Sequence, residues 1–326
     1  MLPLFTSILA TEMTGYLNLV SETGKGITPV KSLFKSLDQY LNEHHHLEKT
    51  LPEEVVSAWL ATKQVKSSTK AGNVSCIKGF VQYLVSLGLE ASAPEPPKVR
   101  HDYVPYVFSD DEWMRIVSEA DNSCSGLSHG QSSRIFPVLL RILYGCGLRV
   151  SEGLSIRWTD IDLKTGIITV QKSKNLKQRL VPMNLSLTGL LLLYKDMTLC
   201  ENICSDYLFE SGFYEGKPFK KDSFYKWFSK VLKKANIHFA RKNRYDRGPC
   251  PHSLRHTFVL RSFLKSENEG RKFEDTSPFL SAYLGHDSLR ETDKYLNASY
   301  LVYTNSHKRV NNFIGNLIPE VCFDEV

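Results

Sequence analysis

Before residue 90 the apolar positions fall into four helical stretches. Ile8 to Leu19 is the first and Val30 to Leu41 the second, where Val30, Leu33, Phe34, Leu37, Tyr40 and Leu41 keep the three-to-four-residue recurrence of one buried face. Pro52 to Ala61 opens on a proline, which suits a first helical turn, and carries Val55, Val56, Trp59 and Leu60. The fourth runs to about Leu87 with Val74, Ile77, Phe80, Val81 and Leu84 on one side; Ser67, Ser68 and Thr69 are its candidate caps and Gly88 its stop. No strand pattern interrupts them. The stretch from Ala91 to Pro105 then loses all periodicity and holds Pro94, Pro96, Pro97 and Pro105, which marks an extended linker. The expected organisation is a helical domain over 1–95, a linker over 96–106 and a second domain over 107–326.

Beyond the linker both periods occur. Ser109 precedes Asp110, Asp111 and Glu112 and an apolar face of Trp113, Ile116 and Val117, so a cap and a dipole-favoured acidic first turn open this helix. A Ser/Gly-rich loop over 122–133 leads to an apolar helix, Ile135 to Tyr144, which ends in Gly145-Cys146-Gly147. GIITVQK (166–172) and RLVPM (179–183) read as short strands, joined by a hairpin loop that holds Lys174 and Lys177. Leu185 to Tyr194 reads as a helix and Tyr207 to Glu210 as a short strand. Ser223 to Ala235 is an amphipathic helix with Phe224, Trp227, Phe228 and Val231 inward. Phe279 to Leu284 is a helix stopped by Gly285, and Leu301 to Leu317 a further one. The fold class is therefore mainly α with a small antiparallel β-sheet.

Composition narrows the class of protein. With 326 residues, 42% apolar and 23% charged, the chain is long enough for two cores. Its apolar start lacks a preceding basic segment, Glu12 interrupts it, and no run of about eighteen uncharged apolar residues follows, so a cytoplasmic protein without a membrane partner is expected. Seven cysteines, an odd number with no CxxC pair, suit reduced thiols rather than a disulfide framework or a zinc site; no metal and no cofactor are expected. His44, His45 and His46 are consecutive and cannot share one face, which suits a solvated turn better than a metal site.

The net charge of +6 says little until it is located. Residues 1–100 and 101–200 are each close to neutral, whereas 217–262 hold thirteen Lys and Arg against Asp222 and Asp246. Such a run is either a solvated helix face or the footprint of a polyanion. Lys220, Lys221, Arg241, Lys242 and Arg244 are the candidate phosphate contacts within it, and Lys70, Asn73 and Lys78 on the fourth helix are candidates for contacts in a groove.

The same segment runs into the residues with the most chemistry. His252 and Arg255 stand three apart on a predicted helix, so an imidazole and a guanidinium share a face, and Tyr295 follows as a possible nucleophile. Far upstream, Arg149 is the first charge after a long apolar stretch, and Gly145 and Gly147 permit a tight turn before it. Each residue taken singly also has a bland reading: Arg149 as an ion-pair partner of Glu152, the histidines as satisfied polar groups, Tyr295 as a core aromatic.

Taken together, GCGLRVSE (145–152), a hairpin lysine before RLVP, HSLRH (252–256), LGH (284–286) and a tyrosine nine residues past that histidine resemble the tyrosine recombinases, the lambda-integrase, Xer and Cre family. The resemblance spans the chain and implies a helical core-binding domain, a linker and a catalytic domain. It implies that Arg149 and Arg255 clamp a scissile DNA phosphate, that His252 supports proton transfer at the tyrosine, and that His286 adds a hydrogen bond. Lys174, selected over Lys172 and Lys177 by its spacing of eight before Pro182, would protonate the departing 5′-oxygen, and Tyr295 would form a 3′-phosphotyrosyl link. Tyr283, Tyr300 and Tyr303 lack the nine-residue offset. The implied function is site-specific recombination of double-stranded DNA, as the integrase or transposase of a mobile element, through a Holliday junction. The implied assembly is a homo-tetramer on paired sites, alone or with partner recombinases, with the two domains of each copy on opposite sides of the duplex. A type IB topoisomerase-like enzyme and a catalytically silent DNA-binding relative remain the alternatives. Two features depart from the family pattern: Ser253 stands where members often carry Asp, and the charged segment 266–277 is longer than usual.

Overall fold

The computed structural model describes residues 4–24, 26–99, 105–123, 132–171, 178–200, 205–211, 214–241 and 248–285. The chain divides into two compact units, Met1–Asp102 and Tyr103–Val326.

In the first unit the apolar rows read from the sequence become four helices, α1 (Ala10–Glu22), α2 (Thr28–Glu43), α3 (Glu53–Ala61) and α4 (Ser67–Ser86). Their buried residues form one core: Met13 and Leu17 from α1, Phe34, Leu37 and Leu41 from α2, Val56, Trp59 and Leu60 from α3, and Val74, Ile77, Phe80 and Leu84 from α4. Phe34 and Phe80 meet with ring centroids 4.7 Å apart. Asp38 is buried on α2 because its carboxylate accepts the backbone N–H groups of Thr6 and Ser7, the latter at 2.8 Å, which anchors the chain entering α1. One cap differs from expectation: Lys66 occupies the cap position of α4 without a side-chain bond, and Ser67, Ser68 and Thr69 lie in the first turn. After α2, His44 stacks on Tyr40 and His46 bonds the Thr50 carbonyl oxygen.

The second unit opens with α5 (Asp110–Asn122), set by a capping box in which Ser109 Oγ accepts the Glu112 N–H and the Glu112 carboxylate accepts the Ser109 N–H. Next come α6 (Ser132–Cys146), the short α7 (Val150–Leu154) and a 3-10 turn, Trp158–Asp160. The strands β1 (Ile161–Asp162), β2 (Ile167–Val170) and β3 (Arg179–Pro182) follow, then α8 (Leu185–Cys200), β4 (Glu210–Ser211), β5 (Tyr214–Pro218), α9 (Lys221–Lys234), α10 (Pro251–Asn268) and α11 (Phe273–Leu284). Helix α6 is the hub: Phe136, Leu139, Leu140, Ile142, Leu143 and Cys146 are all buried, and it packs against α5, α7, α8 and α10. β1, β2 and β3 form an antiparallel meander whose last rung before the hairpin loop pairs Val170 with Arg179. The architecture is thus mainly α with small antiparallel sheets, as expected.

Two expectations are corrected. Tyr207 makes only a single antiparallel bridge, to Arg157, and the paired strand starts later, at Glu210, in a second small sheet with β5. The YEGKP sequence of β5 has no apolar alternation to announce it. Helix α11 begins at Phe273 rather than at 279, and the charged 266–277 segment is the end of α10, a turn at Gly270 (φ +79°) and the first turn of α11. Pro278 lies inside α11, where it has no N–H to donate to the carbonyl of Glu274, an exposed residue. Ser266 Oγ and Thr276 Oγ1, 2.5 Å apart, close that end of the helix pair. The expected Leu301–Leu317 helix lies outside the described residues. No helix among the described residues is long and apolar enough to cross a membrane.

Candidate active site

The site is built outward from the turn that ends α6. Gly147 has φ +60°, and a Cβ there would lie 2.4 Å from the Phe258 ring on α10, so both the backbone and the packing require glycine. Its carbonyl accepts Arg255 Nη1 at 2.8 Å, and the preceding Cys146 carbonyl accepts the Tyr283 hydroxyl at 3.3 Å. Gly147→Ala is expected to destabilise the fold by about 2–4 kcal/mol, combining left-handed strain with overpacking. In a Phe258→Ala background the added cost should fall to the backbone share of about 1–2 kcal/mol, measured by denaturant unfolding of the four variants in a cycle.

That turn delivers Arg149 to the start of α7. Its main-chain N–H donates to Glu152 Oε2 and its Nη1 to Glu152 Oε1, both at 2.9 Å. Glu152 is buried, and it also receives Arg179 Nη1 at 3.1 Å and Nη2 at 2.8 Å. Arg255 Nη1 stands 3.9 Å from Glu152 Oε2. Burial pushes the Glu152 carboxyl up, but the hydrogen bonds and charges of Arg179 and then of Arg149 outweigh it and hold the group below its ordinary range. Among the described residues, three guanidiniums face this one carboxylate, an arrangement suited to an anion. Arg149 is the accessible member: its side chain is 32% exposed, against 9% for Arg179 and 1% for Arg255.

Helix α10 carries the other candidates. Cys250 caps it, and Ser253 Oγ accepts the Cys250 N–H at 3.2 Å, so the hydroxyl at this position supplies the acceptor that the start of the helix needs. His252 is exposed in the first turn, whereas Arg255 faces inward and donates Nη1 to Gly147 and Nη2 to the Leu284 carbonyl, each at 2.8 Å. The expected shared face is therefore divided between a surface imidazole and a buried guanidinium that ties α10 to the turn before Arg149 and to the end of α11. The His252 ring meets His256 edge-on at 4.6 Å. Burial first, then the charges of His252 and Arg255, hold His256 down at about 3, so it stays neutral.

Tyr283 is a packing residue. It stacks on Phe258, its hydroxyl is committed to Cys146, and burial holds its phenol well above the usual range. Lys174, His286, Tyr295, Tyr300, Tyr303, Lys242 and Arg244 lie outside the described residues. Arg179 is absent from the sequence-based candidates, and only the structure brings it in: in β3 it is in phase with buried Val181, while Leu180 between them is exposed.

The basic run shows its pattern on α9. Phe224, Phe228, Val231 and Leu232 are buried, while Lys221, Lys226, Lys230, Lys233 and Lys234 are exposed, with exposed Lys220 at its cap. Arg241 is exposed beyond it. In the first unit, Lys70 and Asn73 are partly buried on α4, and Lys78 Nζ lies 2.5 Å from the Glu95 carboxylate.

Comparison with known proteins follows the same lines. Residues 107–301 match the model of the phage integrase family. Tyrosine recombinase XerD of Pseudomonas putida is 28% identical over 245 residues, 73% of this chain and 74% of its own. Among solved structures, a lambda integrase dimer bound to a COC′ core site aligns with a TM-score of 0.62 at 14% identity, covering 87% of this chain and 94% of its own. The Tn1549 transposon integrase in complex with a circular intermediate DNA also gives 0.62, at 17% identity, with the same shares of 87% and 94%.

Proposed function

Because the chain belongs to the phage integrase family, we propose that it is a site-specific DNA recombinase, the integrase or transposase of a mobile element, working in the cytoplasm through a covalent link to Tyr295. The observation that carries this reading is the cluster of Arg149, Arg179 and Arg255 around the buried Glu152, with Arg149 its accessible member. A phosphodiester passing through a five-coordinate transition state gathers charge on its non-bridging oxygens, and forked N–H donors fixed in advance answer that charge. In this scheme the Tyr295 oxygen bonds to phosphorus and its proton passes to solvent with help from His252. The bond from phosphorus to the 5′-oxygen breaks, and Lys174 supplies the proton that oxygen takes. His286 and Arg255 complete the donors around the phosphate. A 5′-hydroxyl from the partner duplex then reverses the steps, so the phosphotyrosyl bond conserves the energy needed for rejoining.

The helical region 1–95 serves in this reading as the core-binding domain, joined through 96–106 to a catalytic domain of 107–326. Exposed lysines on α9, together with Arg241, Lys242 and Arg244, meet phosphates, and Lys70, Asn73 and Lys78 approach a groove. Four copies on two paired sites, with or without partner recombinases, would complete the exchange.

The test is a nicked suicide substrate carrying the DNA that flanks the coding region, incubated with protein in EDTA. A covalent complex is expected with the wild-type chain and none with Tyr295→Phe. An adduct that persists in Tyr295→Phe refutes the assignment of the nucleophile, and no adduct from the wild-type chain on its own site refutes the recombinase reading.

A further inference from the structure

We propose that Arg179 is a positioning residue of this active site: it binds the hairpin strand, the carboxylate that aims Arg149, and the end of α11 into one unit. The proposal rests on the recombinase reading. Arg179 has three committed contacts, two N–H donors onto the two oxygens of Glu152 at 3.1 and 2.8 Å and Nε onto the Tyr283 carbonyl at 2.8 Å. The partners come from two segments of the chain, Glu152 from α7 and Tyr283 from α11. In β3, Arg179 forms the last rung before the hairpin loop, and Lys174 precedes it by five positions. Glu152 holds both the main chain and the guanidinium of Arg149. Tyr283 lies at the end of α11, and His286 is bonded directly to Gly285, the residue that ends the helix.

Only arginine satisfies this geometry. A planar fork presents Nη1 and Nη2 to a carboxylate while Nε points to a third acceptor, whereas lysine has a single nitrogen. Gly285 fits the same design. It has φ +64°, and a Cβ there would stand 3.1 Å from Arg179 Nη1, so the helix end leaves room for the guanidinium. Among the described residues, the charged groups that meet Glu152 are Arg149 from the start of α7, Arg179 from β3 and Arg255 from α10. Removing Arg179 removes the largest of the influences that favour the ionised carboxylate. Glu152 then takes up a proton at higher pH than before, and Arg149 loses its orienting charge over that range.

The experiment compares wild-type protein with Arg179→Gln, Arg179→Lys, Glu152→Gln and the Arg179→Gln/Glu152→Gln double variant. Adduct formation is timed on the suicide substrate between about pH 4 and pH 9, a span that includes the ordinary glutamate value of about 4.3 and the imidazole value of about 6.5. Arg179→Gln is expected to retain DNA in a gel shift but to form adduct about 10- to 100-fold more slowly, the usual cost of losing a partner that orients a site's ligands. Its deficit should grow as pH falls, and Arg179→Lys should restore only part of the rate. The double variant should be no slower than the slower single one, because both act through one contact and neither charge is left unpaired. A wild-type rate in Arg179→Gln at every pH overturns the proposal. So does a pH-independent loss that lysine fully repairs, or losses that multiply in the double variant. Absence of adduct from the wild-type protein overturns the recombinase reading and this one with it, so the two failures are distinguishable.

Discussion

Arg149→Ala is expected to slow covalent-complex formation by about 100- to 1,000-fold, the range for deleting one preorganised donor to a developing oxyanion. Stability should change by no more than about 1 kcal/mol, because the side chain is a partly exposed ion-pair partner. Glu152 keeps its two-pronged bond from Arg179 in this variant, so the buried carboxylate stays neutralised. Arg149→Lys should recover little of the rate, since an ammonium cannot both hold Glu152 and present a fork to a phosphate. Single-turnover adduct assays beside thermal melts separate the two effects. A variant with near wild-type adduct rates would remove Arg149 from the phosphate site and leave it as the structural partner of Glu152.

Glu152→Ala should be costly in both respects. It strips the acceptor from the Arg149 N–H, from Arg149 Nη1 and from both Arg179 terminal nitrogens, and leaves Arg179 and Arg255 buried as like charges. Breaking a buried pair by removing one partner costs about 3–5 kcal/mol, and chemical denaturation measures it. Loss of adduct formation should accompany it even under conditions where the variant is folded. Acid titrates the same contact. The Glu152 carboxyl is held below its ordinary value in the folded chain, so its contribution is present in full above the unfolded value of about 4.3 and is lost as pH falls below it. Glu152→Gln should show no such loss, and a stability-against-pH curve identical to wild type between about pH 5 and pH 3 would contradict the depressed carboxyl.

Much of the fold was legible because it depends on local periodicity. The helical recurrence of Phe34, Leu37 and Leu41, and of Val74, Ile77, Phe80 and Leu84, marks faces that are buried. The Ser109 cap is legible in the sequence because a capping box is a short-range device. What misled was equally local. The apolar pattern from Phe279 to Leu284 marks only the later part of α11, which begins at Phe273 and holds Pro278 inside it. β4 and β5 carry no apolar alternation, so their pairing left no trace in the pattern.

For the site, the sequence alone determined the chemical inventory: which arginines, histidines and tyrosines are present, in an order and spacing that resemble the tyrosine recombinases. Tertiary structure decided how the described residues share the work. Arg149 and Arg255 are 106 positions apart in the chain, and the same carboxylate and turn hold them, with Arg149 left accessible and Arg255 bound to two carbonyls. Arg179 became visible only there. Nothing in its neighbours' identities names Glu152 or Tyr283 as partners, because hydrogen bonds between distant segments depend on where α6, β3 and α11 pack, and packing is a property of the whole core.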